Sequence, residues 1–407
     1  MNYTVKNIFG KTNGKSVNVS VPGSKSITAR AMLIAAIGRG TSTLYNAQFS
    51  DDCLTFLNCL DALGINYIKD GNTLHIEGCG GILKKKYAEI NVGSAGTAAR
   101  FLPAFLAFQD GEYKIDCSPQ MKKRPVSPLI AALKELGAQF EFSEEENCFP
   151  FIIKGTKNVN THINVDVTKS SQYLSALLLS AVCAGKQMKI TANGTHGNEY
   201  VRMTENIMWS FGVNVQTSGG AYEVEGIYQP MRYHIEPDIS AACYFCAMNK
   251  ILGTDIEVDG VMPHSMQGDI KFIELLKDFD GGKIDMSAFS DQALTLAAIA
   301  PYLKYPTDIC NVKHIRGQEC DRINAIVKNL NAMGVECEER DDGVKIYPSQ
   351  PRAAHIETFG DHRVAMSFAV TGLRCDGIVI DNAEVCSKTF SAYFDTLDYI
   401  SEKLTED

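Results

Sequence analysis

Four segments of this chain put hydroxyl or glycine residues beside charged ones just ahead of an apolar run. They are Ser24, Lys25, Ser26 and Arg30; Ser94, Gly96, Thr97 and Arg100; Ser170, Ser171 and Gln172; and Asp361, His362 and Arg363. The first residues of a helix carry unpaired backbone N–H groups and a partial positive charge. Several such starts aimed at one crevice would trap phosphates or carboxylates. Taken singly, these residues read as ordinary helix caps, for which Ser, Thr and Asp are favoured. As a set they ask for more, because capping needs neither Lys nor Arg within the first buried turn, and an unpaired buried cation is costly. The chemistry indicated is recognition of a small, multiply charged anion.

The elements that would position these groups repeat. Six times, at intervals of about 50 to 75 residues, a polar loop opens a helix that is apolar on nearly every side: GSKSITARAMLIAAI at Gly23, GSAGTAARFLPAFLA at Gly93, KSSQYLSALLLSA at Lys169, PDISAACYFCAM at Pro237, SDQALTLAAIA at Ser290 and GDHRVAMSFAV at Gly360. A helix without a polar face must be enclosed by its neighbours. Each unit then closes with two alternating strands around a Gly, Asn or Asp turn, as in LGINYIKDGNTLHIEG from Leu63, LGAQFEFSEEENCFPFIIKG from Leu136, FGVNVQTSGGAYEVEG from Phe211 and MGVECEERDDGVKIYP from Met333. The fourth unit, around Phe279, is abbreviated, and the sixth lacks its hairpin. Unit six is therefore expected to borrow a strand from the N-terminal KNIFGKTNGKSVNVSVPG, which offers two short strand-like runs.

Six units over 407 residues predict an α/β fold of two lobes, residues 19–228 and residues 1–18 plus 229–407. The chain would cross between lobes twice, near Val17–Ser20 and Tyr228–Tyr233, which makes a hinge. A net charge of −9 argues against a nucleic-acid surface, so any anion site must be a local concentration of Lys and Arg. No run of 18 apolar residues is present, and MNYTVKNIFGKT has neither a signal-peptide core nor an Arg/Ser-rich transit character, so a cytoplasmic protein without a membrane partner is expected. The 13 cysteines are scattered; Cys243 and Cys246 form the only CxxC, inside an apolar helix and without zinc-type partners, and read as reduced core thiols.

PGSKSITAR, GSAGTAAR, KKRPVSPL, SSQYLSALLL, GQECDR, GDHRVAM and SKTF, in this order and spacing from Pro22 to Phe390, resemble the 5-enolpyruvylshikimate-3-phosphate synthases, the enolpyruvyl transferases of the shikimate pathway. The resemblance implies two lobes, each of three βαβαββ units with buried parallel helices. It implies transfer of the enolpyruvyl group of phosphoenolpyruvate to shikimate 3-phosphate with release of inorganic phosphate, and neither a metal nor an organic cofactor. Each substrate brings a carboxylate and a phosphate monoester, about −2.5 to −3 apiece near neutrality. Six cations match the motifs: Lys25, Arg30, Arg124, Arg322, Arg363 and Lys388. Such cations, coming from both halves, are expected to repel one another without ligand and to let the lobes close on substrate.

Residue by residue, the resemblance implies that Lys25, Ser26 and Arg30 touch shikimate 3-phosphate, with Arg30 gripping the ring carboxylate, and that Ser170 and Ser171 hold its phosphate, with Gln172, Tyr200, Asp291, His314 and Gln318 also on that substrate. Gly96, Arg124, Gln172 and Lys388, with Lys25, are implied around the phosphate of phosphoenolpyruvate, and Arg322 and Arg363 as its carboxylate clamp. Asp291, Glu319 and Lys25 are the implied proton carriers: Asp291 for the 5-hydroxyl, Glu319 for the methylene carbon, Lys25 shared. Apart from the resemblance, Asp291 reads as a helix cap and Glu319 as an i, i+3 partner of Arg322. His362 reads as a donor supporting its neighbours.

Some positions depart from the family pattern. Gly197 stands where many members have a Ser on the shikimate phosphate, a contact that would pass to His196 or Asn198; Gln318 replaces a frequent Lys, His314 a frequent Asn, and Ser94 an Asn. Gly96 implies sensitivity to glyphosate, which in this family occupies the phosphoenolpyruvate site beside that glycine. The rival readings are the enolpyruvyl transferase acting on UDP-N-acetylglucosamine, an RNA 3'-terminal phosphate cyclase and a non-enzymatic repeat protein. They lack, respectively, a matching Cys loop, a basic surface with an ATP-linked His motif, and a reason for Lys, Arg, Asp and Glu in the loops. Small-molecule partners and a monomer are expected.

Overall fold

The computed structural model describes residues 1–194 and 197–406, and the chain divides into two compact units, Gly23–Glu236 and Met1–Pro22 with Pro237–Asp407. In the first unit a single pattern recurs. Tyr87–Asn91 runs parallel to Glu112–Asp116 across the Ala98–Ala107 helix, and Glu112–Asp116 then pairs antiparallel with Phe151–Lys154, which pairs with Gln139–Phe142. His162–Asp166, Met188–Asn193, Ala221–Val224 and Val215–Ser218 repeat it around the Gln172–Ala181 helix. The strand Tyr87–Asn91 buries Ala88 and Ile90 and exposes the residues between, as a sheet covered on one face requires. The helices have no such face: all ten residues of Ala98–Ala107 are buried. That helix packs against Gln172–Ala181, which in turn contacts Lys25–Ile37. Burying each Leu or Phe of these helices contributes about 1.5–3 kcal/mol.

The third sheet of this unit closes it on itself. Thr41–Tyr45 pairs antiparallel with Thr73–Glu77, but its parallel partner is Arg232–His234, from the far end of the unit, with Arg232 opposite Thr43. This pairing carries the crossing point past Tyr233, to Glu236/Pro237.

The second unit has one complete sheet, Gly282–Asp285, Thr307–Cys310, Gly343–Ile346 and Cys337–Arg340. Its other two are completed from the N-terminus. Tyr3–Thr4 pairs antiparallel with Ile378–Ile380 of unit six, and Ser16–Val19 pairs parallel with Asp255–Val258 of the abbreviated unit four. The borrowed strand lies ahead of the KNIF run, and the second run serves a different unit. Because Ser16–Val19 is held here, the first crossing falls at Pro22/Gly23 rather than at Val19. The helices Ile239–Leu252, Ala293–Ile299 and His362–Gly372 are buried among these sheets, as the absence of a polar face demands.

Candidate active site

In the unit Gly23–Glu236 the Lys25 loop is fixed by backbone contact. A Cβ on Gly23 would stand 1.8 Å from the carbonyl oxygen of Asn46, so no side chain fits there. Lys25 Nζ lies 3.1 Å from Asp52 Oδ2, both largely buried. Arg30, only 2% exposed, donates through Nε to Thr204 Oγ1 at 2.8 Å, through Nη1 to the Ser26 carbonyl at 3.0 Å, and through Nη2 to Ser175 Oγ and the Tyr200 carbonyl, each at 3.4 Å. Burial pulls its pKa down to about 10. With one Nη1 hydrogen left over among the described residues, a two-pronged grip on a carboxylate requires one of these bonds to be exchanged. Ser170 Oγ accepts from Gln172 N at 3.2 Å, and Ser171 is buried beside Gly197. Gly197 has φ +66°, and a Cβ on it would meet Ser171 Oγ at 2.4 Å. The departure from Ser at 197 thus makes room for Ser171. His196 lies outside the described residues.

The second anion-binding loop places Gly96 against Arg124: a Cβ at 96 would sit 3.2 Å from both Nη1 and Nη2. Arg124 Nε is buried without a hydrogen-bond partner among the described residues. Arg100 beside it donates to Met121 Sδ at 2.9 Å and to the Pro125 carbonyl at 2.8 Å, while its Nε is also unsatisfied. Burial first, then the Arg124 charge, bring the Arg100 guanidinium down to about 9. Two adjacent guanidinium groups with unused donors are what a phosphate would complete.

In the other unit the charges are interleaved. Arg322 donates through Nε to Asp361 Oδ2 at 2.7 Å, through Nη1 to Asp291 Oδ1 at 3.0 Å, and through Nη1 to Gln318 Oε1. Burial opposes its charge, but Asp361 and Asp291 outweigh that and hold the guanidinium above its usual range. Arg363 Nη2 lies 3.0 Å from Asp291 Oδ2. Glu319 sits between two proton carriers, His362 Nδ1 at 3.1 Å from Oε2 and Lys388 Nζ at 3.1 Å from Oε1. The Lys388 contact is an ion pair, and its buried ammonium has no hydrogen-bond partner among the described residues. His314 Nε2 shares a hydrogen bond of 2.8 Å with Ser290 Oγ.

Two local readings are corrected. Asp291 does not cap a helix: it lies within the turn Ser290–Gln292, and its carboxylate bridges the two arginines. Glu319 is not an i, i+3 partner of Arg322, because the helix Arg322–Ala332 starts only after it, capped by Asp321. Within each unit these cations are not bare, since Lys25, Arg322, Arg363 and Lys388 each stand against a carboxylate. Sequence reasoning gave no role to Asp52 or Asp269 and overlooked Asp361 as the counter-ion of Arg322; an acidic residue at the cap or first turn of a helix was the available signal. Glu319, Asp361 and His362 carry ligand-type atoms within 4.8 Å of one another. Lys388 and Arg322 already place fixed positive charge on two of these groups, which opposes a metal ion.

The family model described as EPSP synthase (3-phosphoshikimate 1-carboxyvinyltransferase) matches residues 11–282 and 276–397. The chain is 40% identical over 401 residues to the 3-phosphoshikimate 1-carboxyvinyltransferase of Trichormus variabilis, covering 92% of this chain and 94% of that one. It is 35% identical over 410 residues to that of Citrobacter koseri, covering 94% and 96%. Among solved structures, an EPSP synthase from Acinetobacter baumannii gives a TM-score of 0.81 over 98% of both chains at 23% identity. The enolpyruvyl transferase NikO from Streptomyces tendae gives 0.72 over 98% and 96% at 13% identity, a likeness of fold alone.

Proposed function

We infer that this chain, which belongs to the EPSP synthase (3-phosphoshikimate 1-carboxyvinyltransferase) family, transfers the enolpyruvyl group of phosphoenolpyruvate to the 5-hydroxyl of shikimate 3-phosphate and releases inorganic phosphate. The reaction belongs to the shikimate pathway of aromatic amino-acid biosynthesis. The observation that carries the mechanism is Glu319, a buried carboxylate held between His362 and Lys388.

The roles proposed are these. Lys25, Ser26, Arg30, Ser170, Ser171, Gln172 and Tyr200 receive shikimate 3-phosphate, with Asp291, His314 and Gln318 facing the same substrate. Gly96, Arg124, Gln172, Lys388 and Lys25 receive the phosphate of phosphoenolpyruvate, and Arg322 and Arg363 its carboxylate. Arg322 and Arg363 are the two guanidinium groups that hold Asp291 at 3.0 Å each. A substrate carboxylate that takes over those donors releases Asp291 to accept the 5-hydroxyl proton. The hydroxyl oxygen then bonds to the central carbon of phosphoenolpyruvate while a proton from the Lys388 ammonium passes through Glu319 to the methylene carbon, giving a tetrahedral adduct. Loss of a methyl proton back through Glu319 to Lys388 and departure of phosphate with its bridging oxygen, which takes up the proton held by Asp291, restore the double bond and regenerate both carboxylates. Lys25 and Lys388 stabilise the charge that develops on the leaving phosphate.

A monomeric, cytoplasmic enzyme is part of the same proposal; no described helix is long and apolar enough to cross a membrane. Phosphate release measured with shikimate 3-phosphate and phosphoenolpyruvate together tests the reading. Release with that pair and none with UDP-N-acetylglucosamine is expected, and the reverse pattern would overturn it.

A further inference from the structure

We propose that Asp269 is a positioning residue for the Arg363 guanidinium and acts through the Ser240 hydroxyl. The proposal rests on the reading in which Arg363 takes the carboxylate of phosphoenolpyruvate. Asp269 stands at the capping position of the Ile270–Asp278 helix, yet its side chain makes no cap hydrogen bond. Its carboxylate, 5% exposed, turns instead to two neutral donors, Ser240 Oγ and Gln292 Nε2, the latter at 2.8 Å. Forgoing a cap and burying a carboxylate on neutral donors both cost stability. A purely structural link between these elements is served better by a neutral residue, so the charge points to function.

The geometry says what the charge does. A serine hydroxyl has one hydrogen, and Ser240 gives it to Asp269, so its lone pairs are left for Arg363 Nη2 at 3.4 Å. Burial, then the Asp291 charge, raise the Asp269 carboxyl above its ordinary value, and the neighbouring Arg363 charge works against them. The Gln292 amide is fixed in the matching sense: Thr295 Oγ1 donates to its Oε1 at 3.0 Å and meets Ser367 Oγ at 3.2 Å. Ser367 lies on the His362–Gly372 helix that also carries Arg363. The hydrogen bonds therefore form a circuit from Arg363 through Ser240, Asp269, Gln292, Thr295 and Ser367 back to the helix of Arg363.

Steady-state kinetics on Ser240→Ala, Ser240→Thr, Asp269→Asn and the double variant Ser240→Ala/Asp269→Asn test this. Losing one support of a charged donor predicts a KM for phosphoenolpyruvate raised about five- to tenfold in Ser240→Ala, with kcat and the KM for shikimate 3-phosphate within about twofold. Ser240→Thr, which keeps the hydroxyl, should restore the wild-type value. The double variant should be no worse than the poorer single one, because both changes cut the same relay. Crystals of Ser240→Ala supply a readout that needs no turnover and is independent of the substrate assignment: the Arg363 guanidinium should leave its wild-type position. An unchanged KM for phosphoenolpyruvate, equal changes in both KM values, or an undisplaced Arg363 would overturn the proposal. Failure of the wild-type protein to release phosphate would instead count against the function proposed above.

Discussion

Gly96→Ala isolates one contact. Gly96 is not among the residues with positive φ, so alanine fits its backbone without strain. The new methyl would stand 3.2 Å from Nη1 and Nη2 and 3.5 Å from Cζ of Arg124, a few tenths of an ångström too close. Arg124 is the end of a flexible side chain whose Nε is already unsatisfied, so the guanidinium yields rather than the fold. A misplacement of about 1 Å costs roughly 10²-fold in rate, so about a third of that distance predicts a loss of about three- to tenfold for phosphoenolpyruvate. Stability should change little, because removing a glycine from the unfolded chain contributes about 0.4–1 kcal/mol in the opposite sense. Glyphosate is longer than the substrate and cannot retreat from the methyl. An overpacking penalty of about 1–3 kcal/mol predicts an inhibition constant raised about 5- to 150-fold, more than the KM. The assay is phosphate release at graded phosphoenolpyruvate and inhibitor, with a melting curve on the same preparation. Equal factors for inhibitor and substrate, or a lower melting temperature with unchanged kinetics, would refute the argument.

Glu319→Gln keeps shape but cannot carry a proton, so turnover should fall roughly 10²-fold with calorimetric affinities near wild type; near-normal turnover would move the role to Asp291 or Lys25. Arg322→Ala should weaken phosphoenolpyruvate binding and also strip the fully buried Asp361 of its counter-ion, at about 3–5 kcal/mol in urea unfolding; unchanged stability would contradict the pairing. Burial, then Asp291, hold the Asp269 carboxyl above the usual aspartate range, so the native protein keeps that proton to higher pH than the unfolded chain. Its contribution to stability is therefore lost as pH rises from the ordinary aspartate value through the raised one. The melting temperature of Asp269→Asn relative to wild type should climb as pH rises above the ordinary aspartate range, and a flat difference would contradict this.

The repeat was readable because its signals are local. Thr73–Glu77 alternates after the turn at Gly71 and Asn72, and the Ala98–Ala107 helix announces its burial by lacking a polar face. Parallel pairing was not local: nothing near Thr43 indicates that Arg232 lies opposite it. The cations of the site stood out because a Lys or Arg at the start of an apolar helix is unusual. Their carboxylate partners did not, since Asp52 and Asp361 look like ordinary first-turn acids until folding buries them at 5% and 0% exposure. Counting cations without these partners left out the charge that a substrate has to displace. Asp269 was illegible for the same reason, as its diversion from the cap is a tertiary fact.

Running the reaction in deuterium oxide tests addition–elimination most directly. A proton delivered to the methylene carbon passes through a methyl group, so deuterium should appear in the vinyl positions of the enolpyruvyl product and, with bridging-oxygen-labelled phosphoenolpyruvate, the label should leave in phosphate. Product free of deuterium, or bridging label retained in the product, would contradict the account.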